Sequence, residues 1–307
     1  MARRRKGDPV HGWVVLDKAL GMSSAHAVAA VRRLFNAAKA GHAGTLDPLA
    51  TGILPVALGE ATKAVPYVMD GIKIYRFTLA WGVAMDTDDG EGQPVAISTA
   101  RPDREAIGAV LPRFTGTIQQ TPPAYSALKI AGARAYALAR AGEAVELKPR
   151  QIRIESLDLI ECPDPDHAVF EARVGKGTYI RALGRDLGEA LGTVAHVTVL
   201  RRLRVGPFRA ERAISLEKLA EIAHYGRASE QLYPIETALD DIPALAVTDR
   251  EAASLRQGRP VIRLFDEARR CGLGEGTTVC AMASGRLVAF ARWCGGGLKP
   301  VRVLTFN

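Results

Sequence analysis

The sequence predicts an α+β fold, a large mixed domain over residues 1–243 followed by a small β-rich module over 244–307. Three observations lead there. Segments of period-two and period-3.6 hydrophobicity are interspersed without a regular βαβ repeat, which disfavours a doubly wound parallel sheet. Pro234 to Pro243 reads as a linker. From about Leu245 the chain changes character, to a short helix, glycine-rich turns and short strands.

Val14-Val15-Leu16 reads as a strand, and Ser23 as the N-cap of a helix whose apolar stripe runs Ala27, Val28, Val31, Leu34 and Phe35. The apolar run Ile53 to Leu58 predicts a buried strand. Tyr75, Phe77, Leu79 and Trp81 alternate, so they share one face of the next strand. Asp86 to Gly92 is an acidic turn, and Asp103 caps a helix over Arg104 to Leu111. After the Pro122-Pro123 break come a strand at Val169 to Val174 and a helix marked by Ile180, Leu183, Leu187 and Leu191. His196 to Val205 alternates again, which sets Val197, Val199, Leu203 and Val205 on one side and Leu200, Arg202 and Arg204 on the other. In the C-terminal module, Arg250 to Arg256 reads as a helix and Leu287 to Trp293 and Val301 to Phe306 as strands.

The net charge of +8 favours an acidic partner such as nucleic acid. Residues 246–307 hold ten Lys/Arg against five Asp/Glu, so this fifth of the chain carries five of the eight net charges. Cys162, Cys271, Cys280 and Cys294 form no CxxC pair, and no histidine lies at zinc-finger spacing, so no metal site is expected. Such sparse thiols suit a reducing compartment. The basic tip Arg3-Arg4-Arg5-Lys6 is followed by Asp8, His11 and Asp17 and lacks an apolar region of signal-peptide length. No segment is long enough to span a membrane, and a cytoplasmic protein is expected.

The most informative stretch is Gly41-His42-Ala43-Gly44-Thr45-Leu46-Asp47-Pro48-Leu49-Ala50-Thr51-Gly52, with one carboxylate among glycines and a proline. Pro48 restricts Asp47 to non-helical backbone and the glycines allow tight turns, so Asp47 is presented from a rigid loop. By itself that is a nucleophile, a general base, a metal ligand or an Asx-turn cap.

The stretch from Gly41 through Lys63 resembles the signature of the TruB family of tRNA pseudouridine synthases. Four further segments agree, in the family's order over residues 12–206. They are Leu16-Asp17-Lys18 with Gly21 and Ser23, Gln120-Thr121-Pro122-Pro123-Ala124-Tyr125-Ser126-Ala127-Leu128-Lys129, Lys176-Gly177-Thr178-Tyr179-Ile180-Arg181, and Leu200-Arg201-Arg202. Five spaced motifs are far more specific than one. Gly175 departs from the serine of many relatives and bears on loop flexibility rather than on the reaction.

The resemblance implies a mainly antiparallel sheet with flanking helices and a PUA-like RNA-binding module at 244–307. It also implies isomerisation of the T-loop uridine at tRNA position 55, with Asp47 as the catalytic nucleophile. Arg181 would pair with that carboxylate and keep it charged, and Tyr179 would exchange a proton with the reacting sugar. Tyr75 would stack on the base, worth about 1–3 kcal/mol, against Leu200 as the opposite wall. His42 would fill the gap left by the extruded base. Lys18 and Lys63, with Lys129, Lys176, Arg201 and Arg202, would meet RNA phosphates. All atoms are retained in the isomerisation, so no cofactor is expected. The expected partner is tRNA, with no membrane, no obligatory protein partner and a monomeric chain. Direct attack at C1′ and a glycal route with Tyr179 as base both remain open, as do a guide-dependent dyskerin-type synthase and a tRNA chaperone without catalysis.

Overall fold

The computed structural model describes residues 7–126, 129–130, 133–134, 147–239, 242–262 and 272–306. Cys271, the basic tip at 3–6 and the motif positions Ala127 and Leu128 lie outside the described residues, as does the side chain of Lys129. Among the described residues the centre is a ten-stranded, mostly antiparallel sheet. From one edge its main path runs Ile214–Ser215, Gly12–Lys18, Ala50–Leu58, Ala195–Val205, Lys73–Trp81, His167–Val174, Arg150–Asp164 and Gly116–Gln120. Ala40–His42 adds to the Ala50–Leu58 strand and Phe208–Arg209 to the Ala195–Val205 strand. The pair of Ala50–Leu58 with Ala195–Val205 is parallel, Leu200 beside Ala50 and Arg202 beside Gly52, and it lies directly under the Asp47 loop.

Local signals account for most elements. Ser23 caps the Ser24–Leu34 helix by accepting from the His26 N–H, and Ala27, Ala30 and Val31 are buried. Asp103 caps Arg104–Val110 in the same way. The Ile180–Ala190 helix buries Ile180, Leu183 and Leu187 against the sheet. It can lie close because Gly184 and Gly188 face it: a Cβ on Gly184 would stand 2.6 Å from Leu79, and one on Gly188 2.8 Å from the Ala195 backbone. No described helix is long and apolar enough to cross a membrane.

Two expectations need correction, and one long strand is unanticipated. The alternation over His196 to Val205 is broken by register shifts at Val197/Val199 and Arg202/Arg204. Val199 is therefore exposed while Leu200 and Arg202 are buried, because each bulge inserts a residue and changes which face follows. The Arg150–Asp164 strand has no counterpart in the period-two reading, since shifts after Ile154 and Leu159 break its alternation. The expected linker at Pro234 to Pro243, of which 240–241 lie outside the described residues, is a packed segment. Ile235, Ala238 and Leu239 are buried in one apolar cluster with Trp13 and Phe208 of the large domain and Leu287, Phe290 and Leu304 of the C-terminal region.

The C-terminal region is a separate five-stranded sheet, ordered Ala244–Ala246, Thr278–Ala283, Arg286–Cys294, Gly297–Val303 and Val261–Ile262. The Asp249–Arg256 helix packs on it, opened by a capping box between Thr248 and Glu251. Tyr67 stacks on Phe290 at 4.3 Å, joining the two sheets' territories.

Candidate active site

The Asp47 loop is held from behind by groups that the sequence pattern does not bring together. Ser24 Oγ accepts from the Leu46 N–H and donates to the Leu46 carbonyl, both at 2.8 Å, fixing the residue before Asp47. Arg202, 1% exposed, donates to Ile53 O at 2.7 Å, Gly44 O at 3.0 Å and Thr45 O at 3.4 Å. Lys18, fully buried, donates to Met22 O at 2.6 Å, Ala19 O at 2.9 Å and Pro48 O at 3.3 Å. Burial lowers the Lys18 pKa, and Asp47 and Glu91 oppose that. Gly52 permits this closeness. At φ +99° a Cβ there would stand 2.2 Å from the Arg202 carbonyl oxygen.

From this braced loop the Asp47 carboxylate, 41% exposed, meets the buried Arg181 guanidinium at 2.9 Å. Arg181 opens the Ile180–Ala190 helix and is fixed by three other acceptors. Nη1 donates to Thr87 O and Nη2 to Tyr125 O, each at 2.8 Å, and Nε faces the buried Asp89 carboxylate at 3.4 Å. A guanidinium held at all three of its nitrogens by separate acceptors is fixed in its aim.

Asp47 stands where two cavities meet. One, of about 570 Å³, is lined by Asp47, Tyr75, Tyr179, Arg181, Leu200 and Lys73 among others. The other, of about 620 Å³, has His42, Asp47, Asp89, Glu91, Tyr125 and Arg181 in its wall. Tyr75 is the last member of its face: Phe77, Leu79 and Trp81 enter the core while Tyr75 reaches the first cavity. Tyr179 precedes the helix, with its backbone held at both ends by Gln120, which accepts from its N–H at 2.9 Å and donates to its carbonyl at 3.1 Å. The Arg150 guanidinium lies 5.0 Å over the Tyr179 ring and donates to the Gly177 carbonyl. Burial, then the charge of Arg202, lowers the His42 pKa, a shift that favours the neutral imidazole. Burial likewise brings Lys73, at the cavity wall, down to about 8, with Arg202 adding to it.

The structure thus brings Asp47, Tyr179, Arg181, Tyr75 and Leu200 around one cavity, with His42 on the other side of Asp47. The expected phosphate contacts divide. Lys18 and Arg202 are corrections, buried braces whose donors are occupied by loop carbonyls. Lys63 is also engaged, by Glu60 at 2.5 Å and Val303 O at 2.6 Å, at the seam with the C-terminal sheet. Arg201 forms a two-pronged pair with Asp17, at 2.7 and 3.0 Å, while Lys176 is open to solvent and pairs with Asp70. Sequence reading missed Asp89, Thr87, Ser24 and Arg150, and assigned no role to Gln120. The two acidic-turn residues carried one signal, a carboxylate-rich turn next to a strand end.

A family model described as TruB family pseudouridylate synthase (N terminal domain) matches residues 32–180, and one described as tRNA pseudouridylate synthase B C-terminal domain matches 181–240. The chain belongs to the TruB family of pseudouridylate synthases. It is an isomerase of that family. A protein of Bradyrhizobium diazoefficiens named tRNA pseudouridine synthase B is 55% identical over 309 residues, 99% of this chain and 88% of that protein. One of the same name from Rhodospirillum rubrum is 52% identical over 306 residues, 99% of each. Among solved structures, a chain of a Cbf5-Nop10-Gar1 complex is 26% identical with a TM-score of 0.74, covering 95% of this chain and 84% of that one. A second, from an H/ACA RNP bound to a substrate RNA containing 2′-deoxyuridine, matches in fold with a TM-score of 0.74 over 99% of this chain and 92% of that one. The two TruB models meet between Tyr179-Ile180 and Arg181, so the family's own division runs through the site.

Proposed function

We infer that this TruB-family enzyme acts on tRNA and isomerises the T-loop uridine at position 55, with Asp47 as nucleophile. The observation that carries the reading is the 2.9 Å pair of Asp47 with a guanidinium whose nitrogens are also held by Thr87, Tyr125 and Asp89. In the reaction the N1–C1′ bond breaks as Asp47 bonds to C1′, and the uracil leaves with the electron pair and turns. C5 then bonds to C1′ as the Asp47 oxygen departs with the electron pair of its own C1′ bond, and C5 releases its proton while N1 takes one up. An ionised Asp47 bonding to C1′ holds the sugar while the base turns. Arg181 holds the carboxylate in aim and favours its charged form. Tyr179 exchanges a proton with the reacting sugar, and the base lies between Tyr75 and Leu200. Extruding the base costs a few kcal/mol of stacking, and the neutral His42 is suited to take its place. Phosphate contact falls to exposed cations such as Lys176 and to the C-terminal sheet, read as a PUA-like module over 244–307. Lys63 would contribute from the seam between them.

The names of the relatives at 50–55% identity support tRNA as substrate, and an unassisted monomer is the working form. The test compares wild type with Asp47→Asn on an unmodified tRNA transcript, mapping pseudouridine by base-specific derivatisation and measuring binding in parallel. Product at the T-loop uridine with wild type alone, and binding by both, is expected. A folded wild type that binds tRNA without modifying it would overturn the reading in favour of a guide-dependent synthase or a chaperone.

A further inference from the structure

Arg185 lies one helical turn beyond Arg181, on the same face of the Ile180–Ala190 helix. Its guanidinium is divided among three acceptors. Nη1 donates to Asp88 Oδ2 at 2.9 Å, Nη2 to the Thr121 carbonyl at 2.8 Å, and Nη2 and Nε to Asp186 Oδ1 at 2.8 and 3.0 Å. The first two acceptors belong to the two segments that hold Arg181. Asp88 stands between Thr87 and Asp89, both of which meet Arg181. Thr121 begins the stretch through the buried Pro122 and Pro123 to Tyr125, whose carbonyl accepts from Arg181. Asp88 also sits at φ +60°, uncommon for a residue with a side chain, and its carbonyl accepts from Val197 N at 3.1 Å. Such a conformation persists only where its surroundings hold it. Arg185 lines neither cavity at Asp47.

We propose that Arg185 is a positioning residue: by stapling Asp88 to Thr121 it holds two loops against Arg181, and through Arg181 it sets the aim of Asp47. Three of the four Arg181 acceptors lie on these two loops, so releasing the staple frees the guanidinium that orients the carboxylate. Because Arg185 does not border the cavities, its loss acts on the rate and not on RNA affinity.

The activity arm of the test rests on the tRNA reading above, and a second arm does not. Full-length Arg185→Met keeps the side chain's length without its donors. Arg185→Lys keeps the charge, but a single ammonium cannot span Asp88 and Thr121. Single-turnover rate at saturating unmodified tRNA, tRNA affinity and thermal midpoint are measured together with amide hydrogen exchange. Arg185→Met is expected to lose about 10–100-fold in rate with affinity within about twofold, and Arg185→Lys to fall between it and wild type. Amides in 86–92 and 121–126 should exchange about tenfold faster, while those of the C-terminal sheet hold. A merely structural role would lower the midpoint and leave the rate of the folded enzyme unchanged, which overturns the proposal. Weakened RNA binding at an unchanged rate overturns it too. If Arg185→Met does not fold, Arg185→Lys decides: wild-type rate and exchange would refute the staple. If wild type is inactive on tRNA, the substrate reading fails, and unchanged exchange in both loops would still refute the staple.

Discussion

Replacing Gly52 by alanine tests whether the Asp47 loop depends on how closely two strands approach beneath it. At φ +99° the backbone lies where only glycine is at ease, and an alanine held there costs about 1–3 kcal/mol. Its Cβ would also stand 2.2 Å from the Arg202 carbonyl oxygen and 2.9 Å from the Arg202 nitrogen, both backbone atoms in a central parallel pair. Neither atom can rotate away, so the strands must part, at a further cost of about 1–3 kcal/mol as for other overpacked sites. The sum, roughly 2–6 kcal/mol, is a large part of an ordinary domain's stability. The displaced residue is Arg202 itself, whose fork holds the Gly44 and Thr45 carbonyls. A shift near 1 Å in the aim of Asp47 would cost about 100-fold in kcat beyond any loss of folded protein. Thermal melting and single-turnover modification of a tRNA transcript, with the folded fraction measured separately, check both effects. A Gly52→Ala protein that melts within about 1 °C of wild type and turns over at the wild-type rate would refute the reasoning.

Arg181→Lys keeps one positive charge but cannot serve Asp47, Asp89, Thr87 and Tyr125 together. Its kcat should fall at least about 100-fold with little change in tRNA affinity, and equal loss in both would contradict the assignment. Gln120→Leu leaves the Tyr179 N–H without its partner, while the carbonyl keeps the Leu183 N–H at 3.0 Å, and the urea midpoint should report a loss of about 1–3 kcal/mol together with a lower kcat. Tyr75→Phe should retain most of the rate, because among the described residues the Tyr75 hydroxyl has a single contact, to Arg202 at 3.5 Å, whereas Tyr75→Ala should lose about 1–3 kcal/mol of transition-state binding in kcat/KM. Burial raises the Asp88 carboxyl from 3.8 to about 6, with Arg185 and Arg181 opposing it. Between those values the folded protein keeps a proton that the unfolded chain has released, so this stabilising contribution declines as pH rises and is gone above about 6. Asp88→Asn lacks that decline. Its stability relative to wild type should therefore improve between about pH 4 and 6 and level off above that, by about 1.4 kcal/mol per unit at most, and a constant difference in urea midpoints would sink the argument.

Local signals made much of this legible. The Ser23 cap and apolar stripe gave the Ser24–Leu34 helix, and strict alternation gave the face from Tyr75 to Trp81. The glycines and Pro48 marked the Asp47 loop because they act on their own backbone. The losses have physical causes. A bulge between Val197 and Val199 inverts the faces after it, and nothing in a period-two pattern announces the inserted residue. Gln120 grips Tyr179 across 59 residues of sequence, a separation no local rule spans. Lysine and arginine are taken as solvated because burying a charge is costly. Lys18 and Arg202 escape that rule because loop carbonyls surround them in three dimensions, and the chain order does not reveal it.

Those two buried cations show how the Asp47 carboxylate can stand beside three cations and the neighbouring Asp89 and Glu91 carboxylates without being drawn away from Arg181. Arg202 is spent on Gly44, Thr45 and Ile53 carbonyls and Lys18 on those of Ala19, Met22 and Pro48. Each cation is close enough to act on the loop's electrostatics, yet its donors are committed, so neither competes with Arg181 for Asp47. The same commitment removes them from the RNA surface. Loop rigidity and charge balance are thereby met by the same side chains. What faces the cavities is the exposed part of the Asp47 carboxylate, held by a guanidinium whose position depends on two further segments of chain, the turn of Thr87 and Asp89 and the stretch ending at Tyr125. The geometry that keeps this aspartate available is therefore distributed, running from Ser24 and Lys18 near the start of the chain to Arg202 past residue 200. A substitution far from Asp47 in sequence can alter its aim without touching the RNA.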